Sequence, residues 1–170
     1  MENTNPIINK VASSDLITLD LEAFYPSGET AVFDLKDFLF KGLVLKEKDF
    51  REALKSFDWE QYRNKNVAIT CSADAIVPMW AFMMVSVNLD GVAAYYRFGT
   101  EAELIEDLFF QSLKKIDAED YRDKKLLVKG CSDKEVAASV YVEVARILLP
   151  VVKSLMYGEA CSNVPLMKRK

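Results

Sequence analysis

Histidine is absent from this sequence, and only three of its 170 residues are cysteines. Without imidazole, Ser-His-Asp and Cys-His relays, histidine-ligated zinc sites and histidine-ligated haem are all excluded. Carboxylate, lysine, tyrosine and thiol chemistry remain. Apolar residues make up 51% of the chain and charged residues 28%, as in an ordinary folded domain. A chain of this length folds without disulfides or structural metals, so we expect any metal to be functional.

Excess positive charge and long apolar runs are also lacking. The formal net charge is −4, which provides no positive field to gather nucleic acid. The most apolar run, residues 75–87, is shorter than the roughly 20 residues that cross a bilayer. The first ten residues lack the basic and apolar regions of a signal peptide. We therefore predict a cytoplasmic protein with reduced thiols and with neither nucleic acid nor membrane as a partner.

Residues 1–62 are predicted to form a β-rich part followed by a helix. Apolar side chains alternate over residues 17–21, with the period of a half-buried strand. After a turn signal, residues 30–35 are expected to form the partner strand, which gives an N-terminal β-hairpin or extension. Residues 46–57 place apolar side chains with the spacing of an amphipathic helix. Trp59 and Tyr62 are expected to cover the end of this helix.

Residues 66–157 alternate short apolar strands with longer helical stretches. Thr100 and Glu103 form a capping box at the second helix, and Pro150 is expected to kink the third. Residues 158–170 are predicted to be a C-terminal loop and tail. The whole pattern predicts a single α/β domain over residues 1–170, with a mixed sheet flanked by helices. Its strands are expected at residues 67–70, 95–98 and 126–129, and its helices at 74–89, 100–116 and 136–157.

The cysteines lie at the ends of predicted elements. Cys71 and Cys131 each follow a strand, precede a helix and are followed by serine. Ligands in open α/β sheets gather at this rim of strand ends, and helix N-terminal amides there stabilise a thiolate. Cys161, also followed by serine, belongs to residues 158–165, a predicted loop that folds back onto the sheet.

Several uses of these thiols remain open. Free cysteine is most often a small buried hydrophobe, which is the plainest interpretation. If the three thiolates converge, with Asp74 as a fourth ligand, the set suits zinc or an iron–sulfur cluster, although no CxxC spacing forces two sulfurs together. Cys71 or Cys131 alone would suffice for sulfur or acyl transfer. A third hypothesis is an adaptor whose rim or apolar helix faces bind another protein.

Four segments of the chain, residues 46–51, 70–81, 128–131 and 157–165, resemble the bacterial family called domain of unknown function 2480. The resemblance covers nearly the whole chain, and the family's motifs include the three cysteine segments. Ala160 departs from it, because the family pattern has proline there. The family has no established activity, but the resemblance implies a role in iron–sulfur cluster assembly or sulfur handling, with cluster-assembly proteins as partners.

Residues and resemblance together give our leading hypothesis. It is a metal- or cluster-binding accessory protein that uses Cys71, Cys131, Cys161 and Asp74 at the strand-end rim. The alternatives are a thiol-dependent transfer enzyme and an adaptor without metal. A homodimer is expected by default for a soluble bacterial domain.

Overall fold

The computed structural model describes residues 16–130 and 134–169. Their secondary structure comprises four α-helices and seven β-strands, which confirms the α/β fold class. The strands are divided between two sheets. No helix among the described residues is long and apolar enough to span a bilayer.

The chain divides into two compact units. The first unit consists of Met1–Tyr25 and Phe109–Lys170, and the second unit of Pro26–Leu108. Each unit has its own sheet and its own cluster of buried apolar side chains. The single domain over residues 1–170 stays a prediction.

The second unit is built on a three-stranded parallel sheet. Its strands are β2 (Thr30–Asp34), β3 (Asn66–Thr70) and β4 (Tyr95–Phe98), with β3 in the centre. β3 is apolar over three consecutive buried residues, as expected for a parallel strand covered on both faces. Its two helices are α1 (Glu47–Ser56) and α2 (Met79–Leu89).

Aromatic side chains fill the core of the second unit around Phe33, which is 1% exposed. The Trp59 ring stacks on the Phe33 ring with 5.3 Å between centroids. The indole of Trp59 also donates a hydrogen bond to the carbonyl oxygen of Leu54 at 3.0 Å. Trp59 therefore covers the end of α1, as the sequence predicts. Three further rings contact Phe33: Phe38, Phe57 and Tyr62.

The first unit is built on a four-stranded sheet with the order β1-β5-β6-β7. Three strands are parallel, and the edge strand β7 is antiparallel to β6. One helix, α4 (Ala138–Leu148), belongs wholly to this unit. The strands are β1 (Leu16–Asp20), β5 (Lys125–Lys129), β6 (Ser154–Glu159) and β7 (Ser162–Lys168).

The remaining helix, α3 (Glu101–Leu113), begins in the second unit and ends in the first. Its start confirms the predicted capping box. The Glu103 carboxylate accepts from the backbone N–H of Thr100 at 2.7 Å, and the Thr100 hydroxyl accepts from the Glu103 N–H at 3.3 Å. Two of the otherwise unpaired donors at this helix end are thereby satisfied.

The two units share one order of elements: strand, 3-10 turn, helix, 3-10 turn, strand, helix, strand. In the first unit, the first helix of this order is α3, which begins in the second unit, and β7 follows as an additional strand. From the second 3-10 turn onward, corresponding residues have numbers that differ by 59. Asp58 and Asp117 both cap that turn. Asn64 and Asp123 both adopt left-handed backbone conformations, with φ of 59° and 58°. The chain therefore contains an internal duplication. In the sequence, the second unit is inserted into the first unit after its first strand and 3-10 turn.

This arrangement excludes the hairpin, one of the two alternatives predicted for the N-terminal part. β1 pairs in parallel with β5, and β2 pairs in parallel with β3. Alternating apolar residues identify a strand, but they do not identify the strand it pairs with.

Prolines account for two further differences from the sequence analysis. α2 begins at Met79 rather than at residue 74, directly after Pro78, because proline disfavours helical backbone in the residue before it. α4 ends at Leu148, so Pro150 follows the helix instead of kinking it.

The C-terminal part also differs from the prediction. Residues 154–157, predicted to be helical, begin β6. Residues 158–165, predicted to be a loop, form the turn and the adjoining parts of the hairpin of β6 and β7.

Candidate functional site

Cys71 is the first residue after β3, the central strand of the second unit's parallel sheet. Its side chain is half-buried against the apolar core of that unit, and its Sγ lies 3.8 Å from the carbonyl oxygen of Ala73. The position at the strand end is as predicted. The helix N-terminus is not adjacent to it, because residues 71–78 form a loop before α2 begins at Met79. We call residues 71–78 the Cys71 loop.

Asp34 ties the Cys71 loop to the neighbouring strand. It ends β2 and pairs with Thr70, and its carboxylate accepts hydrogen bonds from the Ser72 backbone N–H at 3.0 Å and the Ser72 hydroxyl at 2.6 Å. The same carboxylate accepts from the Lys36 backbone N–H at 3.0 Å and lies 3.3 Å from the Lys36 ammonium. These bonds fix the chain immediately beside Cys71.

The far part of the Cys71 loop is also attached. Ile76 forms an isolated parallel bridge with Val44, which itself bridges Phe40. The loop is therefore bound to the rest of the second unit both at Ser72 and at Ile76.

The ionisation of Asp34 limits what this site can do. Burial raises the pKa of its carboxyl, but hydrogen bonds from the Ser72 hydroxyl and from the backbone amides of Lys36 and Ser72, together with Lys36, outweigh burial. They hold the pKa below its ordinary value of 3.8. A carboxylate that is so weakly basic and so fully bonded is a poor general base at neutral pH. Its role is to position the loop.

Replacing Asp34 with alanine is expected to destabilise the second unit by about 1–2 kcal/mol, because the Ser72 and Lys36 donors lose their acceptor. A lowered pKa means that the folded state favours the carboxylate. This stabilisation is therefore complete above pH 3.8 and is lost as the pH falls below that value. Urea unfolding at several pH values measures the difference. The exposed neighbour Asp37, replaced by alanine, is the control, and equal effects of the two changes would contradict the role of Asp34.

The other predicted site residues are in different surroundings. Asp74 is exposed in the Cys71 loop. Cys161 is exposed in the turn between β6 and β7 of the first unit, and Cys131 lies outside the described residues. Within residues 16–130 and 134–169, no group of three or more cysteine, aspartate or glutamate side chains is arranged to hold a metal ion. The four-ligand metal site stays a prediction.

The first unit has a corresponding strand end at Gly130, which follows β5. A Cβ added at Gly130 would lie 2.6 Å from the hydroxyl oxygen of Tyr141 and 3.3 Å from that of Tyr157. The two tyrosine rings meet edge to face, 5.7 Å apart. Phe82 and Phe98, the corresponding residues of the second unit, meet in the same way at 5.1 Å. Both units therefore have an aromatic pair at corresponding positions, and in the first unit a side chain at position 130 would require the Tyr141 hydroxyl to move.

Sequence reasoning missed Asp34 as a residue of the site. The signal was present, because the pattern Asp-Leu-x-x-Phe occurs twice, at residues 20–24 and 34–38. In the structure, both aspartates end a strand and cap a 3-10 turn. A search for repeats would have related the two segments and marked the aspartate as a strand-end residue.

A protein-family model with the description "Protein of unknown function (DUF2480)" matches residues 5–169 of the chain. Neither the search of curated proteins nor the search of solved structures gives a match.

Proposed function

The chain belongs to the DUF2480 family, and we propose that it is a sulfur carrier that accepts a sulfur atom on Cys71 and passes it to another thiol. The position of Cys71 carries this proposal. It is a half-buried thiol at the carboxyl end of the central parallel strand, on a loop bound by Asp34 and Val44. Ligands of parallel sheets collect at such strand ends.

The transfer needs one sulfur atom and no redox partner. The Cys71 thiolate attacks the outer sulfur of a persulfide R–S–SH, so that a Cys71–sulfur bond forms, the donor S–S bond breaks and R–S⁻ leaves. An acceptor thiolate then attacks the outer sulfur of the Cys71 persulfide and takes it, and the Cys71 thiolate is regenerated. Exchange of this kind depends on the thiolate and on access to it.

Sulfur transfer fits the site better than acyl transfer. An acyl-transferring cysteine is ordinarily paired with a general base, and this sequence has no histidine. The Asp34 carboxylate beside the loop is bonded to Ser72 and Lys36, and its pKa is lowered. A sulfur carrier requires only an accessible thiolate.

The first test uses the intact protein with thiosulfate as the sulfur donor. Attack of the Cys71 thiolate on the outer sulfur of thiosulfate yields the Cys71 persulfide and releases sulfite. We expect the intact mass to increase by one sulfur atom, and a dithiol reductant to reverse the increase. Peptide mapping should place the added sulfur on Cys71. An unchanged mass with both thiosulfate and a small-molecule persulfide would refute the carrier function.

A cluster- or zinc-binding role for Cys71, Cys131, Cys161 and Asp74 is our second proposal. In its favour, Cys161 is exposed in a turn and Cys71 lies in a loop, rather than deep inside a strand or helix. The expected result is stoichiometric zinc or iron after anaerobic purification, with a visible absorption band if a cluster is bound, and loss of the metal in Cys71→Ser. A colourless protein that stays free of metal after incubation with zinc or with iron and sulfide would contradict it.

Both proposals assume reduced thiols, which are maintained in the cytoplasm. Under either one, the partners are iron–sulfur assembly proteins, as donors or acceptors of sulfur or of a cluster. Mixing the sulfur-loaded protein with an acceptor protein, and following the added sulfur by mass, tests that assignment.

A further inference from the structure

The first unit contains a cavity of about 320 Å³ between α4 and the sheet, and the residues described as its lining all belong to this unit. Its walls include Val128 of β5, Ala145 of α4 and, on the edge strand β7, Val164 and Leu166. The two β7 side chains are more than half exposed, so the cavity opens to solvent at the edge of the sheet. Two tyrosines complete the wall, and we call the space the Tyr157 cavity after one of them.

The two tyrosines carry the only polar side-chain groups among the described residues that line the cavity. The hydroxyl oxygens of Tyr141 and Tyr157 lie 2.6 Å and 3.3 Å from the position that a Cβ would take at Gly130, so both lie at the carboxyl end of β5. Ligands of parallel sheets collect at such strand ends. Within residues 16–130 and 134–169, the Tyr157 hydroxyl has no hydrogen-bond partner. It is therefore available to a bound molecule.

The second unit shows that the repeated fold requires neither the hydroxyls nor the wall that β7 provides. Phe82 and Phe98 occupy the positions of Tyr141 and Tyr157, and their rings meet edge to face in the same way. The ring packing is thus kept without a hydroxyl. The sheet of the second unit ends at β4 and has no counterpart of β7. Packing of the repeated elements therefore does not explain either feature of the first unit.

We propose that the Tyr157 cavity binds a small uncharged molecule that has an apolar body of one or two rings and one oxygen-containing hydrogen-bonding group. The body would pack against the aliphatic walls, and the oxygen would bond to the tyrosine hydroxyls, which can both donate and accept. Ligand cavities of proteins ordinarily have this composition, with mostly apolar walls and a few polar groups that orient the ligand. The proposal does not rest on the sulfur-carrier function, because that function is assigned to the second unit.

Volume and charge restrict the ligand. An apolar cavity of roughly 150 Å³ holds benzene, so the Tyr157 cavity has room for a two-ring body. The described residues of its lining include no charged side chain. A carboxylate or an ammonium group would lose its hydration there without gaining an ion partner, which disfavours a charged ligand. A ligand without any polar group would cover the Tyr157 hydroxyl and leave it unbonded, which is also unfavourable.

Three two-ring probes that differ in one group test the proposal: naphthalene, 2-naphthol and 2-naphthoate. Saturation-transfer NMR with the full chain measures the dissociation constant of each. We expect 2-naphthol to bind about tenfold more tightly than naphthalene, because it gains a hydrogen bond, and at least about tenfold more tightly than 2-naphthoate. Tyr157→Phe, which introduces the residue that the second unit has at this position, should remove most of the preference for 2-naphthol and leave the affinity for naphthalene unchanged.

Ala145→Phe would fill the cavity, so we expect it to abolish the binding of naphthalene and 2-naphthol. Val142→Phe is the matched control, because Val142 also lies on α4, is 69% exposed and is not part of the described lining. Circular dichroism establishes that each variant is folded. Three results would each overturn the proposal: no binding of any probe to the wild-type protein, a preference for 2-naphthol that survives Tyr157→Phe, or tightest binding of 2-naphthoate. Equal binding to folded Ala145→Phe and Val142→Phe would also overturn it.

Discussion

Replacing Cys71 with serine is expected to abolish sulfur loading, so that the intact mass of the variant stays unchanged after treatment with thiosulfate. Serine keeps the size and hydrogen-bonding capacity of the side chain, but its hydroxyl remains protonated at neutral pH and does not attack the donor sulfur. The loop itself should persist, because Asp34 holds it through Ser72 and not through Cys71. The loss is therefore assigned to the chemistry of the thiol.

The cysteine of the β6–β7 turn supplies the control. Cys161 is the more exposed of the two described cysteines. If loading merely reflected access to a thiol, Cys161→Ser would reduce it at least as much as Cys71→Ser. We expect Cys161→Ser to load one sulfur atom at the rate of the wild-type protein. Loading that persists in Cys71→Ser and disappears in Cys131→Ser would contradict the assignment of the carrier function to Cys71.

The same Cys71→Ser variant separates the carrier proposal from the metal proposal. A metal site needs several of the four ligands, so its occupancy should fall in each single cysteine variant. Sulfur loading on one thiol should fall in one variant only. Metal content and added sulfur, measured on the three cysteine variants side by side, therefore give different patterns for the two functions.

Elements with a clear amphipathic pattern are the ones that the sequence locates well. α1 spans Glu47–Ser56 within a predicted 46–57, and α3 starts at its capping box. The start of α2 and the end of α4 are missed because Pro78 and Pro150 decide them by backbone sterics, which an apolar pattern does not reveal. Residues 154–157 are taken for helix because a short apolar run fits either kind of element.

The partners of the first two strands could not be predicted from the sequence pattern for a different reason. β1 and β2 are neighbours in the chain and both alternate, so a hairpin is the simplest expectation. Instead, β1 is the parallel partner of β5, and β2 is the parallel partner of β3. β1 and β2 are consecutive in the chain because the second unit begins directly after the N-terminal segment of the first unit. The constant difference of 59 between residues such as Tyr62 and Tyr121 was visible in the sequence, and it predicts this topology only once the repeat is recognised.

Part of the candidate site follows from the sequence and part does not. A cysteine directly after a buried strand is expected at the strand-end rim, and Cys71 is there. Asp34 is 38 positions from Ser72, and no local pattern relates the two until β2 and β3 pair side by side. The outward side of α2 is apolar and exposed, although apolar residues all round a helix suggest complete burial.

Replacing Phe33 with alanine is expected to cost the second unit about 3–5 kcal/mol of unfolding free energy, a large part of the 5–15 kcal/mol that stabilises a typical domain. Phe33 is 1% exposed, and the rings of Phe38, Trp59 and Tyr62 are among those that contact it. Such rings do not close the resulting cavity without leaving their own contacts. The strand itself should still form, because its backbone pairing with β3 does not depend on this side chain.

Val32→Ala is the matched control for Phe33→Ala, since Val32 precedes Phe33 on β2 and is 41% exposed. It should cost less than about 1 kcal/mol. The chain has two tryptophans, Trp59 and Trp80, both in the second unit, so urea unfolding followed by tryptophan fluorescence reports on that unit alone. Equal shifts of the midpoint in the two variants would contradict the central place of Phe33. A shift confined to Phe33→Ala would show that this aromatic core stabilises the unit that bears the Cys71 loop.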